Sequence, residues 1–166
     1  MTTRTFQDLF VHMLSDIYSA EKQLTKALPK LSRASTNTTL SAAFDKHLEE
    51  TQGQIERIDQ IVEICDLKLK RMKCAAMEGL VEEGKEVIEE IEKGPVRDAA
   101  LIAAAQKVEH YEISSYGTLC TLAKQMSQSD ALRLLKETLA EEKSTDETLT
   151  QIAESGINQE AAEKVG

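Results

Sequence analysis

Apolar side chains recur along this chain at steps of three and four residues, which is the spacing of one buried face of an α-helix. From about Thr5 to Ala34 the row consists of Phe10, Leu14, Ile17, Leu24 and Leu28. Comparable rows predict further long helices from about Thr39 to Cys65, Pro95 to Met126 and Asp130 to Glu154. A shorter helix is predicted from about Ala75 to Ile91. The pattern therefore indicates an all-α protein.

The connections between these segments predict how the helices are arranged. Short polar turns at 35–38 and 127–129 join the long helices into two antiparallel hairpins. A basic connector (66–73), the short helix and Lys93-Gly94-Pro95 form a long crossover between the hairpins. One long crossover is the connectivity of a ferritin-like four-helix bundle. We expect residues 1–166 to form one such domain, with the short extra helix in the crossover and a frayed polar tail.

Polar residues interrupt the apolar row of every long helix near its middle. The row of the first helix carries Glu21. The second row runs Leu40, Phe44, His47, then Glu50 or Thr51, then Gln54, Ile58 and Ile61. The third row runs Ile102, Ala105, Glu109, Glu112, Tyr116, Leu119 and Ala123. The fourth row runs Leu132, Leu135, Leu139, Glu142, Asp146, Leu149 and Ala153. Antiparallel packing would bring these polar residues to one level of the bundle.

Carboxylates collected in an apolar interior need a compensating charge. A buried carboxylate costs several kcal/mol or shifts its pKa until it is neutral, and several together also repel one another. Two divalent cations would resolve both problems, and oxygen ligands suit iron or manganese, with magnesium as an alternative. The predicted ligands are Glu21, Glu50, Gln54, Glu109, Glu112, Glu142 and Asp146. The opposing interpretation is that the register is misjudged and these acids face solvent or lysines.

The histidines and tyrosines near these rows are harder to assign. His47 lies one turn from Glu50 on the same face, so it could bind a metal, support a ligand or simply pack in the core. His110 follows Glu109 and points about 100° away from it, so we expect it outside the site. Tyr116 lies on the ligand row and could donate a hydrogen bond to a ligand carboxylate. No catalytic residue can be identified from the pattern.

Composition narrows the classes of partner and compartment. The formal net charge of -9 disfavours a nucleic-acid partner, which would favour a basic face. No apolar run approaches the ~20 residues that span a bilayer, and the first ten residues lack the apolar stretch of a signal peptide. The three cysteines lack the spacing of a zinc finger, which fits a reduced, cytoplasmic protein.

Five sequence stretches carry a family resemblance that covers nearly the whole chain. They are LSDIYSAEKQL, HLEETQGQIERID, AAMEGLVEEG, LIAAAQKVEHYEISSYGTL and LLKETLAEEKSTDETL. They resemble the YciE/YciF branch of ferritin-like, rubrerythrin-like bacterial stress-response proteins. The resemblance implies a usually dimeric four-helix bundle with a di-metal carboxylate site. The family's ligand glutamates match Glu21, Glu50, Glu109, Glu112 and Glu142.

One departure from the ferritin-like pattern bears on the chemistry. Di-iron members commonly carry Glu-x-x-His on two helices. Here Gln54 and Asp146 stand one residue beyond the expected histidines, so oxygen replaces nitrogen. This departure counts against ferroxidase or peroxidase activity and favours harder ions such as manganese, magnesium or ferrous iron.

Three functions are compatible with these observations. The first is a di-metal oxidoreductase or peroxide-reactive protein, and the second is a metal-binding stress protein whose ions are structural or stored. The third is a helical interaction protein that keeps the ferritin-like shape, and core acids in four helices count against it. The short helix also has more apolar surface than a solvated crossover needs, which predicts a homodimer. Its apolar residues are Ala76, Met77, Leu80, Val81, Val87 and Ile88.

Overall fold

The computed structural model describes residues 2–164, which contain helices and no strand. The five main helices are α1 (Phe6–Ala34), α2 (Thr38–Ile64), α3 (Ala75–Glu90), α4 (Pro95–Gln125) and α5 (Ser129–Ile152). Every predicted helix is present, and each boundary lies within two residues of its predicted position. Helices α1, α2, α5 and α4 pack around one core, while α3 lies against α1 and α4. The predicted ferritin-like four-helix bundle, with an extra helix in its long crossover, is confirmed.

The extended part of the crossover is attached to α1 by side-chain hydrogen bonds. The Ser15 hydroxyl accepts a bond from the Lys70 N–H at 2.8 Å, and the Ser19 hydroxyl accepts one from the Cys74 N–H at 2.9 Å. The Gln23 amide donates to the Cys74 carbonyl at 3.1 Å. The N–H and C=O groups of an extended segment have no hydrogen-bond partners within a helix. Side chains of α1 supply partners for them here. These bonds fix where α3 begins.

A buried carboxylate joins the two hairpins. Asp98, in the first turn of α4, is only 2% exposed. Its Oδ1 accepts a hydrogen bond from the Thr36 N–H and its Oδ2 accepts one from the Asn37 N–H, both at 2.8 Å. Asn37 is also the N-cap of α2, where its side chain accepts from the Leu40 N–H. The start of α4 is thereby held against the turn between α1 and α2.

The polar tail folds back instead of fraying. After α5 the helical backbone is interrupted at Ala153–Ile157, where Gly156 adopts a φ of +143° that favours glycine. A short helix, α6 (Asn158–Glu163), follows and packs against α4. Ala153 and Ile157 are buried there. The prediction of a frayed tail was therefore wrong for the residues up to Lys164, because Ile157, directly after Gly156, is buried against the bundle. No helix within residues 2–164 is long and apolar enough to cross a membrane.

Candidate metal centre

The four bundle helices bring their polar core residues together at one level. Helix α1 supplies Glu21, α2 supplies His47 and Gln54, α4 supplies Glu109 and Glu112, and α5 supplies Glu142. None of these side chains is more than 2% exposed. One donor atom each from His47, Glu109, Glu112 and Glu142 can be chosen so that all four lie within 4.8 Å of one another. That separation is compatible with several ligands sharing a cation.

When the carboxylates of this cluster are ionised, most of its polar atoms have no hydrogen-bond partner within residues 2–164. The unpartnered atoms are Oε2 of Glu21, both ring nitrogens of His47, both amide atoms of Gln54 and both carboxylate oxygens of Glu109, Glu112 and Glu142. His47 Nε2 lies 3.1 Å from Glu109 Oε1 and 4.0 Å from Glu112 Oε2, but neither contact has hydrogen-bond geometry. Buried polar groups are nearly always paired in native proteins. Here many unpaired polar atoms converge around one point, an arrangement that a bound cation would satisfy.

Burial controls the protonation of the cluster. Burial, together with the charge of Glu142, raises the pKa of Glu21 to about 8, although the hydrogen bond from Tyr116 opposes the rise. Burial, followed by the charge of Glu142, also holds the pKa values of Glu109 and Glu112 well above their ordinary range. The His47 pKa is lowered by burial, although the charges of Glu142 and Glu50 oppose the change. A bound cation would favour the ionised carboxylates and reverse this pattern.

Tyr116 reaches the cluster from α4. Its hydroxyl donates a hydrogen bond to Glu21 Oε1 at 3.0 Å, and both side chains are fully buried. The hydrogen bond that Tyr116 could make to one of the predicted ligand carboxylates is therefore present, with Glu21 as its acceptor.

Glu50 lies at the rim of the cluster and not on the central row of α2. Thr51 occupies the interior position, while the Glu50 side chain is 20% exposed. The Thr145 hydroxyl donates to Glu50 Oε2 at 3.1 Å, and Lys46 Nζ lies 3.5 Å from Oε1. Its role as a metal ligand stays a prediction.

Asp146 lies outside the cluster, so its predicted position in the core was wrong. Its side chain is 23% exposed, its Oδ1 accepts a bond from the Gln106 amide at 3.3 Å, and its Oδ2 lies 3.2 Å from His110 Nε2. The residues three and four positions after Glu142 lie on either side of the central row, because the helical period is 3.6. Asp146 turns towards α4 and Thr145 towards α2. His110 is exposed and outside the site, as expected.

The sequence left the role of His47 open, and the structure places its imidazole inside the carboxylate cluster. The predicted row of α2 already contained His47 and Gln54, since a separation of seven residues is two helical turns on one face. The structure buries both and completes the row with Thr51.

Comparisons with known proteins agree with the fold and the expected resemblance. The family described as "Domain of unknown function (DUF892)" matches residues 5–162. Protein YciF of Escherichia coli (strain K12) is 65% identical over 165 residues, which are 99% of this chain and 99% of YciF. The crystal structure of the E. coli stress protein YciF matches with a TM-score of 0.91 and 67% identity, covering 93% of this chain and 98% of that one.

A more distant solved structure has the same fold. YcfI of Rhodopseudomonas palustris, whose description suggests a structural role, matches with a TM-score of 0.86 and 46% identity. The match covers 89% of this chain and 94% of that one. The likeness to the YciF branch predicted from the sequence is confirmed.

Proposed function

Because the chain belongs to the DUF892 family and is closely similar to a bacterial stress protein, we propose that it is a metal-binding stress-response protein. The proposal assigns a pair of divalent metal ions to the carboxylate cluster in the core of the bundle. The observation that supports it best is the set of buried, unpartnered oxygen and nitrogen atoms contributed by four helices.

The charge of the cluster supports two ions better than one. Glu21, Glu109, Glu112 and Glu142 carry four negative charges when ionised, and the lowered pKa of His47 leaves it neutral. Two divalent cations would balance those charges, whereas a single ion would leave two of them buried without compensation. These four carboxylates and His47 would hold the ions. We assign Gln54 as an adjacent oxygen donor and Glu50 as a ligand from the rim.

The mixed donor set bears on the identity of the metal. Carboxylate oxygens suit manganese and magnesium, whereas imidazole nitrogen suits iron and other transition metals. Because His47 adds nitrogen to the carboxylates, ferrous iron or manganese fits better than magnesium. Either ion held here would supply one-electron chemistry towards oxygen or peroxide.

The test is elemental analysis of protein purified without chelators, using two variants on α5. Glu142→Gln keeps the shape of a central side chain but removes its charge, and it should lose tight metal binding. Asp146→Asn changes the charge equally one turn away, outside the cluster, and should keep the metal content of the parent. Circular dichroism should report unchanged helicity in both. Full metal content in Glu142→Gln would contradict the proposed site.

A second measurement separates turnover from storage. Steady consumption of peroxide by the metal-loaded protein would support the oxidoreductase hypothesis. Stoichiometric binding without turnover would support a structural or stored metal. An absence of bound metal would leave the alternative of a non-catalytic helical interaction protein.

We also propose that the chain is a homodimer, although less of the apolar surface of α3 is free than the sequence predicts. Met77 is fully buried in its own chain, and Leu80, Val81, Val87 and Ile88 pack against the same core. Phe6 and Ile64 are exposed large apolar side chains elsewhere on the bundle, and they offer an alternative contact. Light scattering at micromolar concentration should give twice the mass of one chain, and a strictly monomeric mass would contradict the dimer.

A cytoplasmic location is part of the same proposal. The free thiols of Cys65, Cys74 and Cys120 fit a reducing compartment, where disulfides are rare. Labelling of the partly exposed Cys65 thiol in intact cells would test it, since an oxidised cysteine would not react.

A further inference from the structure

A groove with a volume of about 670 Å³ lies between α1 and α3. Its apolar lining consists of Ala27, Leu31, Ala34, Val81 and Ile88. Its cationic lining consists of Lys26, Lys30, Arg33, Lys73, Lys85 and Arg97, whereas Glu89 is its one carboxylate. The groove is therefore basic and apolar in a chain whose formal net charge is -9. None of these residues belongs to the carboxylate cluster.

Three of the six cations are already engaged with α3. Lys73 pairs with Glu78 at 2.6 Å, and Lys85 lies 3.7 Å from Glu89. Arg97 donates hydrogen bonds to the carbonyls of Ile91 and Ile88, at the C-terminal end of α3. These three contacts account for their positions within the fold.

The other three cations form a row on α1 and have no acidic partner among the described residues. Lys26, Lys30 and Arg33 make no ion pair with any carboxylate of residues 2–164. Their steps of four and three residues place them on one face, over about 10 Å of helix. Like charges at such spacing destabilise a helix slightly. An anion bound beside the row would remove that repulsion.

We propose that this groove binds a long-chain carboxylate. Its acyl chain would lie along the apolar lining, and its carboxylate would pair with Lys26, Lys30 and Arg33. Ligand sites typically enclose about 300–1,000 Å³, so the volume of the groove suits a small amphiphile. Lysine and arginine bind carboxylates through charge-assisted hydrogen bonds. The site is independent of the metal centre.

Other occupants fit the groove less well. Nucleic acid would need aromatic side chains or a wider basic surface, and within residues 2–164 no aromatic residue lines the groove. A second copy of the chain related by a two-fold axis through the groove would bring the same cations face to face. An inorganic anion would leave the apolar lining unused.

The experiment titrates the full chain with cis-parinarate, a long-chain carboxylate whose polyene fluoresces in apolar surroundings, at physiological salt. Fluorescence should rise to saturation with the parent. The double variant Lys26→Glu/Lys30→Glu should bind at least about tenfold more weakly, because it replaces two attractions by repulsions. Ala27→Phe should weaken binding as well, because it fills the groove without changing its charge.

A matched control changes the same number of charges elsewhere. Lys124 and Lys136 are exposed on α4 and α5 and do not line the groove. Lys124→Glu/Lys136→Glu should bind cis-parinarate as the parent does. Equal affinity in the parent, Lys26→Glu/Lys30→Glu and Ala27→Phe would overturn the proposal. The proposal would also be overturned if hexanoate displaced bound cis-parinarate as effectively as oleate does. A dimer that dissociates only in the groove variants would overturn it as well.

Discussion

The Tyr116 hydroxyl donates a hydrogen bond to Oε1 of Glu21 over 3.0 Å, and neither side chain is accessible to solvent. The bond joins α4 to α1, which belong to different hairpins. It satisfies one oxygen of the carboxylate and leaves Oε2 without a partner within the described residues. Tyr116 thereby orients Glu21, and in the proposed metal site the second oxygen of Glu21 would bind the cation.

Removing this bond should weaken metal binding without unfolding the bundle. Partners that hydrogen-bond to a metal ligand typically contribute 10–100-fold to affinity. We therefore expect Tyr116→Phe to raise the dissociation constant for manganese by about 10–100-fold, as measured by competition with a chromophoric chelator. Tyr18→Phe is the control, because Tyr18 lies under the Lys22 ammonium and away from the cluster. Equal affinities in the two variants would remove the assigned role of Tyr116.

The position of Glu50 leads to a second prediction. Thr145 and Lys46 hold its carboxylate at the rim, so Glu50 would have to leave these partners to reach a metal. Glu50→Ala should abolish tight metal binding while leaving helicity unchanged. Thr145→Val removes a donor that competes for the same carboxylate, so it should bind metal at least as tightly as the parent. Full metal content in Glu50→Ala would show that Glu50 is not a ligand.

A third prediction concerns the attachment of α4 to the first hairpin. Asp98→Ala removes both acceptors from the Thr36 and Asn37 N–H groups. Hydrogen bonds to a charged group contribute about 1.5–3 kcal/mol each, so the free energy of unfolding should fall by about 3 kcal/mol. Urea denaturation of the chelator-treated protein measures this change. Asp59→Ala, at an exposed position of α2, should change stability by less than about 0.5 kcal/mol.

Local signals predicted the helices well but could not predict this attachment. Two local signals predicted the helices: the steps of three or four residues between apolar side chains, and Pro95 in the first turn of α4. Each depends only on residues close to the boundary that it predicts. Asp98 meets its partners 61 and 62 residues away along the chain. In the sequence it is indistinguishable from any acidic residue in the first turn of a helix.

The limits of the site prediction have a different cause. Because an α-helix has 3.6 residues per turn, either of two adjacent residues can face the core at each step of a row. Glu50 and Thr51 are one such pair, and Thr145 and Asp146 are another. Which candidate faces inward depends on the neighbouring helix. The structure places Thr51 inside and pairs Asp146 with Gln106, a residue on another helix. Glu21, Gln54, Glu109, Glu112 and Glu142 were predicted correctly as core residues. In α5 the predicted row was partly wrong, because Thr138 is buried beside Glu142 whereas Leu132 and Leu139 are only partly buried.

The last prediction concerns stability, and it begins with the protein without metal. The pKa of Glu21 rises from the ordinary 4.5 to about 8 on folding, and those of Glu109 and Glu112 rise well above 4.5. Between the unfolded and folded pKa values, the folded state retains protons that the unfolded state has released. Stability should therefore fall as pH rises, by up to about 1.4 kcal/mol per pH unit for each group.

His47 sets the lower limit of the useful pH range. Burial lowers its pKa below the ordinary 6.5, so its contribution to stability increases with pH mainly up to about that value. Above pH 6.5 the unfolded His47 still loses its remaining proton, so its opposing effect on the slope fades over about one pH unit. The slope above about pH 7.5 therefore reports the carboxylates of the cluster.

Bound divalent ions should reverse this dependence, because they favour the ionised carboxylates and protons compete with them. The metal-loaded protein should lose stability on acidification, whereas the chelated protein should gain it. Saturation at ~100 times the dissociation constant adds roughly 2.7 kcal/mol. Thermal unfolding with chelator, and with manganese or anaerobic ferrous iron, should give a difference in melting temperature that widens from pH 6.5 to 8. Asp146→Asn should keep that difference and Glu142→Gln should lose it. Superimposable melting curves for the parent at every pH would mean that its buried carboxylates bind no metal.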